Sequence, residues 1–298
     1  LTGKVVDGGK EVLISGGGAL TEAGAMAGNH NLALLTPALE EGAVSVPQGD
    51  GVGGFTIDAK GVVRGALRLA DGSAFSMSAP LTEGGQVRVF QGLYRNTGSL
   101  CGRLKIAPAS GHRLEGSELS WWKALQTAKT RSYPGGFGPL ALRVRGGLHV
   151  IPAAGQTIAG LDDASLLFSH GGAPDPMTRL NVGALVFPAR HPARAAITVD
   201  NPGAVVLTLQ PGSGTRFAAG TTGSFAGTFT VKDADLTVAS NPLRTRKVTF
   251  HGMVVDDGNG PHGYGFFNLP EMPVLGPPNT TLSSSSLLSG RVRLNPLP

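Results

Sequence analysis

Glycine and proline interrupt this sequence so often that it has little room for long helices. The 298 residues include 46 Gly and 21 Pro. Proline removes a backbone hydrogen-bond donor, and glycine is unfavourable in the interior of a helix. Hydrophobic residues nevertheless make up 41% of the chain, which is more than a disordered protein carries. The sequence therefore predicts a folded chain that is rich in turns.

Short runs of alternating apolar and polar residues lie between these interruptions. A period of two is typical of half-buried strands, because successive side chains point to opposite faces of a sheet. The pattern predicts strands at 53–58, 62–70, 86–94, 99–106, 140–144, 184–187, 195–199, 204–210, 224–232, 248–255 and 263–269. A helical turn is predicted at 121–127. The predicted fold class is all-β, with two related antiparallel β-barrel or β-sandwich units.

A glycine-centred motif recurs along the chain. The run GSLCGRLKI at 98–106 matches GSFAGTFTV at 223–231, and LSGRVRL at 288–294 repeats its core. A glycine within a strand pattern marks a bend or a close approach to another backbone. The recurrence predicts two similar β units, residues 1–150 and 151–298. The run PAAG places their boundary within 151–160.

Several runs resemble a known β-rich module. They are PQGDGVGGFTI at 47–57, LADGSAFS at 69–76, YPGGF at 133–137, RKVTFHG at 246–252 and GYGFF at 263–267. From about Asn29 onward the chain resembles the C-terminal module of large secreted or surface repeat proteins of environmental bacteria, a family of unassigned function. The resemblance implies an extracellular or cell-surface location and assigns no catalytic residue. The leading hypothesis is a non-enzymatic structural or adhesive β module of a cell-surface assembly.

Four aromatic residues, Trp121, Trp122, Tyr133 and Phe137, lie close together on turn-rich segments. Exposed aromatic rings stack on the apolar faces of sugars, so the region is a candidate carbohydrate-binding module or glycan-active site. The alternative is structural: one tryptophan closes the end of a barrel and the other covers it. The exposure of the rings discriminates between these hypotheses.

Basic residues occur in pairs within the strand-like runs. The pairs are Arg64 and Arg68, Arg103 and Lys105, Arg143 and Arg145, Arg244 and Arg246, and Arg291 and Arg293. A spacing of two or four places both members on one face of a strand. With a net charge of +5, aligned pairs predict a cationic stripe that attracts acidic polysaccharide, lipopolysaccharide phosphate or, least of all, nucleic acid, with Arg143 and Arg145 as candidate binding residues. The alternative is an ordinary solvated face that discourages aggregation.

No arrangement in the sequence predicts catalysis, a metal or a cofactor. The seven histidines are isolated, and no Gly-x-Ser-x-Gly run marks a nucleophile. Asp162 with Asp163 and Asp233 with Asp235 are carboxylate pairs, but only their separation in space can identify a glycosidase pair. Cys101 is interpreted as a packed thiol.

The composition also limits the expected partners. No run approaches the roughly 20 apolar residues of a membrane-spanning helix. Nucleic acid is a poor fit, because the basic residues are not interleaved with aromatic ones. The expected partners are other protein subunits or surface polysaccharide, and an oligomer or filament stays open.

Overall fold

The computed structural model describes residues 2–7, 10–15, 17–108, 111–126, 130–150, 161, 164–172, 179–181, 195–199, 205–211, 223–276 and 279–296. These residues form eighteen strands and three 3₁₀ turns, and none of them lies in an α-helix. The strands are β1 (Thr2–Asp7), β2 (Lys10–Ser15), β3 (Gly28–Leu35), β4 (Gly51–Ile57), β5 (Val62–Arg68), β6 (Ala74–Thr82), β7 (Gln86–Leu93), β8 (Gly98–Lys105), β9 (Glu118–Lys123), β10 (Phe137–Leu148), β11 (Ala164–His170), β12 (Arg179–Asn181), β13 (Ala195–Val199), β14 (Val205–Pro211), β15 (Ser224–Ala234), β16 (Leu243–Asp256), β17 (Pro261–Pro270) and β18 (Leu287–Pro296). The 3₁₀ turns are Gly24–Met26, Ala38–Glu40 and Tyr94–Asn96.

The all-β class predicted from the alternating pattern is confirmed, with one closed barrel and a second antiparallel sheet. The predicted strand at 195–199 coincides with β13. The predicted helical turn at 121–127 is wrong, because residues 118–123 form β9. The predicted strand at 184–187 and the predicted boundary at 151–160 lie outside the described residues. No helix in the described part of the chain has the length and apolar character needed to cross a bilayer.

The eight strands from β3 to β10 form a closed antiparallel barrel. Each strand pairs with the next, and β10 returns to pair with β3, where Leu148 lies opposite His30. Closure leaves the barrel without a free sheet edge. Because side chains alternate between the two faces of each strand, apolar side chains fill the interior of the barrel. Leu100 and Leu104 of β8 are fully buried, whereas Arg103 between them is exposed.

The strands from β11 to β18 form the second antiparallel sheet, in the order β12-β11-β18-β17-β16-β15-β14-β13. This sheet curls over its own apolar face. Phe168 on β11 and Phe229 on β15 are four strands apart in the sheet order, yet their ring centroids are 4.7 Å apart. Phe250 and Phe267 pack against the same rings. Phenylalanine rings in tilted and edge-to-face contact therefore form the core of this unit.

The repeated motif has its central glycine for a packing reason. All three copies of the motif lie in strands, namely β8, β15 and β18. On β18, Gly290 lies opposite Phe267 of β17, and a Cβ at Gly290 would overlap the phenylalanine ring. On β8, Gly102 has a φ of +142°, and a Cβ there would overlap the carbonyl oxygen of Glu118. Gly102 and Gly290 thus make room for a neighbouring strand and for a ring, respectively.

Replacing Gly290 with alanine is expected to lower the free energy of unfolding by about 2 kcal/mol, because the buried Phe267 ring has to move. Gly138 is the matched control, since a Cβ at this exposed glycine meets no atom within 4 Å. Gly138→Ala should change the stability by less than about 0.5 kcal/mol. Urea denaturation followed by circular dichroism measures both values. Equal stabilities of the two variants would contradict this explanation of the motif.

The hydrophobic core of the barrel extends onto the second sheet, which also has the separate phenylalanine core described above. Met253 and Val255 of β16 and Phe266 of β17 are buried in the same cluster as the side chains inside the barrel. Asn31 of β3 crosses the boundary, because its Nδ2 donates to the carbonyl of Val254 at 2.9 Å. The second sheet therefore covers the outer face of β3, and the two units meet there.

Candidate functional site

A fully buried carboxylate lies at the junction of the two units. Asp50, which directly precedes β4, is 0% exposed. Arg293 of β18 places Nη1 2.6 Å from Asp50 Oδ2, and Arg291 places Nε 3.8 Å from Asp50 Oδ1. Arg291 also donates from Nη1 to Glu41 Oε1 at 2.6 Å. Two carboxylates from the barrel unit therefore hold two arginines of the second sheet, as buried charges require.

Backbone contacts fix the turn that carries Asp50. The Asp50 N–H donates to the carbonyl of Gly265 at 3.1 Å. The Gly49 N–H donates to Ser289 Oγ at 3.2 Å, and this hydroxyl donates to the carbonyl of Ala70 at 2.7 Å. A side chain at Gly49 has no space, because the second sheet packs directly against it. The turn is thus held from both sides.

Burial sets the ionisation of this cluster. Loss of hydration outweighs the attraction of Arg293 and Arg291, and it raises the pKa of Asp50 to about 6. Burial also lowers the pKa of the Arg293 guanidinium. Glu41 is exposed, and its hydrogen bond to Arg291 lowers its pKa. Asp50 therefore takes up a proton near pH 6.

A groove of about 290 Å³ opens beside the cluster, between the two units. Its walls are formed by Leu35, Arg145, Asp257, Asn259, His262, Tyr264, Arg293 and Asn295. Each arginine of the groove has a carboxylate partner: Arg145 Nη1 lies 3.4 Å from Asp257 Oδ2, and Arg293 pairs with Asp50. The Arg293 guanidinium also lies 4.4 Å from the centre of the Tyr264 ring, a cation–π contact. The charges of the groove are therefore compensated locally.

Four polar side chains of the groove have no hydrogen-bond partner among the described residues. The side chains of Asn259, His262, Tyr264 and Asn295 make no hydrogen bond to any other described residue. Burial raises the pKa of the Tyr264 hydroxyl, so it stays protonated at neutral pH. These donors and acceptors are free to bind water or a polar ligand.

The four aromatic residues predicted as a ligand-binding group do not share one surface. Trp121, Tyr133 and Phe137 are 2%, 6% and 8% exposed, and their rings pack edge to face inside the barrel. Trp122 is 38% exposed and lies on the opposite face of β9, where its Nε1 donates to Ser99 Oγ at 2.7 Å. Three of the four rings therefore belong to the barrel core, and only Trp122 is accessible to a ligand.

A buried polar network surrounds these core rings. Lys123 Nζ lies 3.6 Å from Asp71 Oδ2, with both side chains 1% exposed, and it donates to the carbonyl of Ser132 at 2.6 Å. The Tyr94 hydroxyl donates to Asp71 Oδ2 at 2.7 Å and accepts from Trp121 Nε1 at 3.0 Å. Burial lowers the pKa of Lys123 and raises that of Tyr94. Sequence reasoning missed this network, although the period of two places Lys123 on the same face as Trp121.

Most of the paired basic residues have a carboxylate partner. The pairs are Arg64 with Asp58, Arg103 with Glu118, Arg145 with Asp257, Arg244 with Asp235, Arg246 with Asp233, Arg291 with Glu41 and Arg293 with Asp50. Arg143 is exposed and donates to the carbonyl of Thr36 at 3.3 Å. The seven paired arginines therefore form local ion pairs and do not create a stripe of unpaired positive charge. Attraction of acidic polysaccharide by Arg143 and Arg145 stays a prediction.

The carboxylate pairs considered for glycoside hydrolysis are only partly described. Asp233 and Asp235 are bound to Arg246 and Arg244, respectively. The Arg244 Nε lies 2.8 Å from Asp235 Oδ2. The hydrogen bond from the Thr237 hydroxyl, followed by this bond from Arg244, lowers the pKa of Asp235. Asp162 and Asp163 lie outside the described residues. Asp233 and Asp235 are therefore explained by ion pairs within the second sheet.

Cys101 does not lie in the core, contrary to its interpretation as a packed thiol. Leu100 and Leu104 occupy the inward positions of β8, so Cys101 faces outward and is half-buried. Within the described ranges, no three His, Cys, Asp or Glu side chains are grouped to hold a metal ion.

Fold and site together define a class: an all-β protein of one closed barrel and one curled sheet, joined by a buried ion-pair cluster beside a polar groove. No protein-family model, curated protein or solved structure matches the chain. The resemblance of the runs at 47–57 and 263–267 to a module of secreted bacterial proteins stays a prediction.

Proposed function

We propose that this chain is a non-enzymatic structural or adhesive β module of an extracellular surface assembly. The junction carries the proposal, because Asp50 is buried between Arg291 and Arg293 of the other unit. Separating the units would expose their shared core and break this ion-pair cluster, so their orientation is fixed. A fixed orientation of two units is what a building block of an assembly requires. The extracellular location is supported by the sequence resemblance.

The state of the acidic side chains also supports a role without catalysis. A general acid or base must exchange its proton with a reacting group. Asp233 and Asp235 instead form ion pairs with Arg246 and Arg244, respectively, and Asp50 is fully buried. The alternative, a carbohydrate-binding module or glycan-active enzyme that uses Trp121 and Trp122, has weaker support because Trp121 is buried.

A panel of polysaccharides tests the proposal. The purified chain is expected to be retained on at least one insoluble polysaccharide without releasing reducing ends from any of them. Turnover that a single substitution such as Asp235→Asn abolishes would overturn the non-enzymatic proposal. Loss of retention in Trp122→Ala alone would favour the alternative site on β9. Failure to bind any polysaccharide, together with a monomeric state at all concentrations, would contradict both the adhesive and the structural role.

A further inference from the structure

We infer that the groove between the two units binds a neutral sugar residue of a polysaccharide. The inference rests on the proposed adhesive function, for which it names the ligand. Both units contribute to the walls, with Leu35 and Arg145 on the barrel side and Asn259 and Asn295 on the other. The site therefore exists only while the junction is intact.

The four polar side chains without a partner can each donate or accept hydrogen bonds with the hydroxyl groups of a sugar. Asn259 and Asn295 each offer an amide that both donates and accepts, His262 offers one ring nitrogen of each kind when neutral, and Tyr264 offers a hydroxyl. A sugar hydroxyl likewise donates and accepts. A cluster of such groups without internal partners is typical of a site that orients a polar ligand by hydrogen bonds.

The charge balance of the groove favours a neutral sugar over an acidic one. Arg145 is paired with Asp257, and Arg293 is paired with Asp50. A sugar carboxylate would have to compete with one of these carboxylates for an arginine, and it would be repelled by the carboxylate that it displaced. A hydroxyl group can accept from an arginine without breaking its ion pair, because a guanidinium has five N–H donors.

Size and apolar surface agree with a small part of a glycan chain. The volume of about 290 Å³ is close to the lower limit of sites for small ligands, which is about 300 Å³. Leu35, which is 6% exposed, adds a small apolar contact on the barrel side of the groove. The groove therefore suits a single sugar residue and not a long stretch of polysaccharide.

Titration calorimetry with maltohexaose, cellohexaose, mannohexaose and xylohexaose tests the inference, with hexagalacturonate as the acidic probe. At least one neutral probe is expected to bind, with a dissociation constant that changes less than about twofold between about 50 and about 300 mM salt. His262→Ala and Asn295→Ala should each weaken binding about fivefold or more, which corresponds to one lost hydrogen bond. Asn279→Ala is the matched control, because Asn279 makes its hydrogen bond within its own exposed loop.

The outcomes separate this inference from the proposed function. Binding of hexagalacturonate in preference to every neutral probe, with a steep loss of affinity in salt, would overturn recognition of a neutral sugar. Absence of binding, or binding that His262→Ala and Asn295→Ala leave unchanged, would overturn the groove as the site while a module retained on polysaccharide elsewhere stands. Turnover of a bound probe would overturn the non-enzymatic function and leave the groove in place. Thermal unfolding of each variant verifies that the fold is retained.

Discussion

Replacing Lys123 with methionine is expected to lower the free energy of unfolding by about 3–5 kcal/mol. The substitution leaves the carboxylate of Asp71 in the barrel interior without its cation, which lies 3.6 Å away. The Tyr94 hydroxyl and the Ser73 N–H still donate to this carboxylate, but neither carries a charge. Methionine fills most of the lysine volume, so the loss comes from the buried charge and not from a cavity.

The double variant Lys123→Met with Asp71→Asn separates the charge from the packing. Removing both charges should restore most of the lost stability, because no ion is then left without a partner. A double variant that is no more stable than Lys123→Met would contradict the assignment.

Urea unfolding should be followed by circular dichroism and by tryptophan fluorescence. Both tryptophans, Trp121 and Trp122, lie on β9, so fluorescence reports on the barrel alone. Circular dichroism reports on both units. Because the units share a core, the two transitions are expected to coincide in the wild type and in the variants.

Acidification from about pH 7.5 to about pH 5 is expected to destabilise the fold by at least about 2 kcal/mol. Burial lowers the pKa of His30 to about 4, and burial with the nearby Arg68 lowers the pKa of His251 to about 4. A histidine with a lowered pKa binds fewer protons in the folded state than in the unfolded chain. Stability is therefore complete above the usual pKa of 6.5 and falls as the pH drops from there toward 4.

The contribution of Asp50 to the pH dependence of stability has the opposite sign. Its raised pKa of about 6 means that the folded state takes up a proton before the unfolded chain does, so it adds stability as the pH falls from 6 toward 3.8. Between the two pH values each histidine removes about 2 kcal/mol and Asp50 returns about 1 kcal/mol. Burial also lowers the pKa of His149 and of His170, so these two groups add to the loss of stability within the window. The lowered pKa values of Glu41 and Asp58 act below this window, since their contributions are lost only under more acidic conditions.

Two variants test the origin of the pH dependence in urea titrations at both pH values. His30→Leu, which removes one buried titrating group, should reduce the loss by about 2 kcal/mol. Asp50→Asn removes the compensating group and should increase the loss by about 1 kcal/mol. A stability that is the same at both pH values, or a loss that His30→Leu does not change, would refute the role given to these histidines.

The alternating pattern predicts many of the observed strands, but it omits β6 and assigns part of β9 to a helical turn, although the burial of both strands alternates. Strands β4, β5, β7 and β8 each overlap a predicted strand. Strand β3 was missed, because residues 32–35 are all buried and show no alternation. One face of β3 lines the barrel and the other meets the second sheet. Such burial depends on the neighbouring unit, which local sequence does not reveal.

The candidate site was less accessible to sequence reasoning, because its partners are far apart along the chain. The spacing of Arg291 and Arg293 correctly placed both on one face of a strand. It assigned that face to solvent, whereas Asp50, 243 positions before Arg293, lies against it. The prediction for the aromatic residues is wrong in the opposite sense. It treats Trp121 and Tyr133 as exposed, but both are buried in the closed barrel. Both errors concern contacts that form only on folding.

The position of β18 in the second sheet determines when, during synthesis, that sheet can finish folding. Of the described strands β18 comes last in sequence, yet it lies between β11 and β17. It also carries Arg291 and Arg293. During synthesis from the N-terminus the barrel strands emerge before those of the second sheet, so Asp50 stays hydrated and without its cations until β18 leaves the ribosome. Insertion of that strand joins the two parts of the sheet and neutralises Asp50 in one event, and a chain cut short before β18 lacks both.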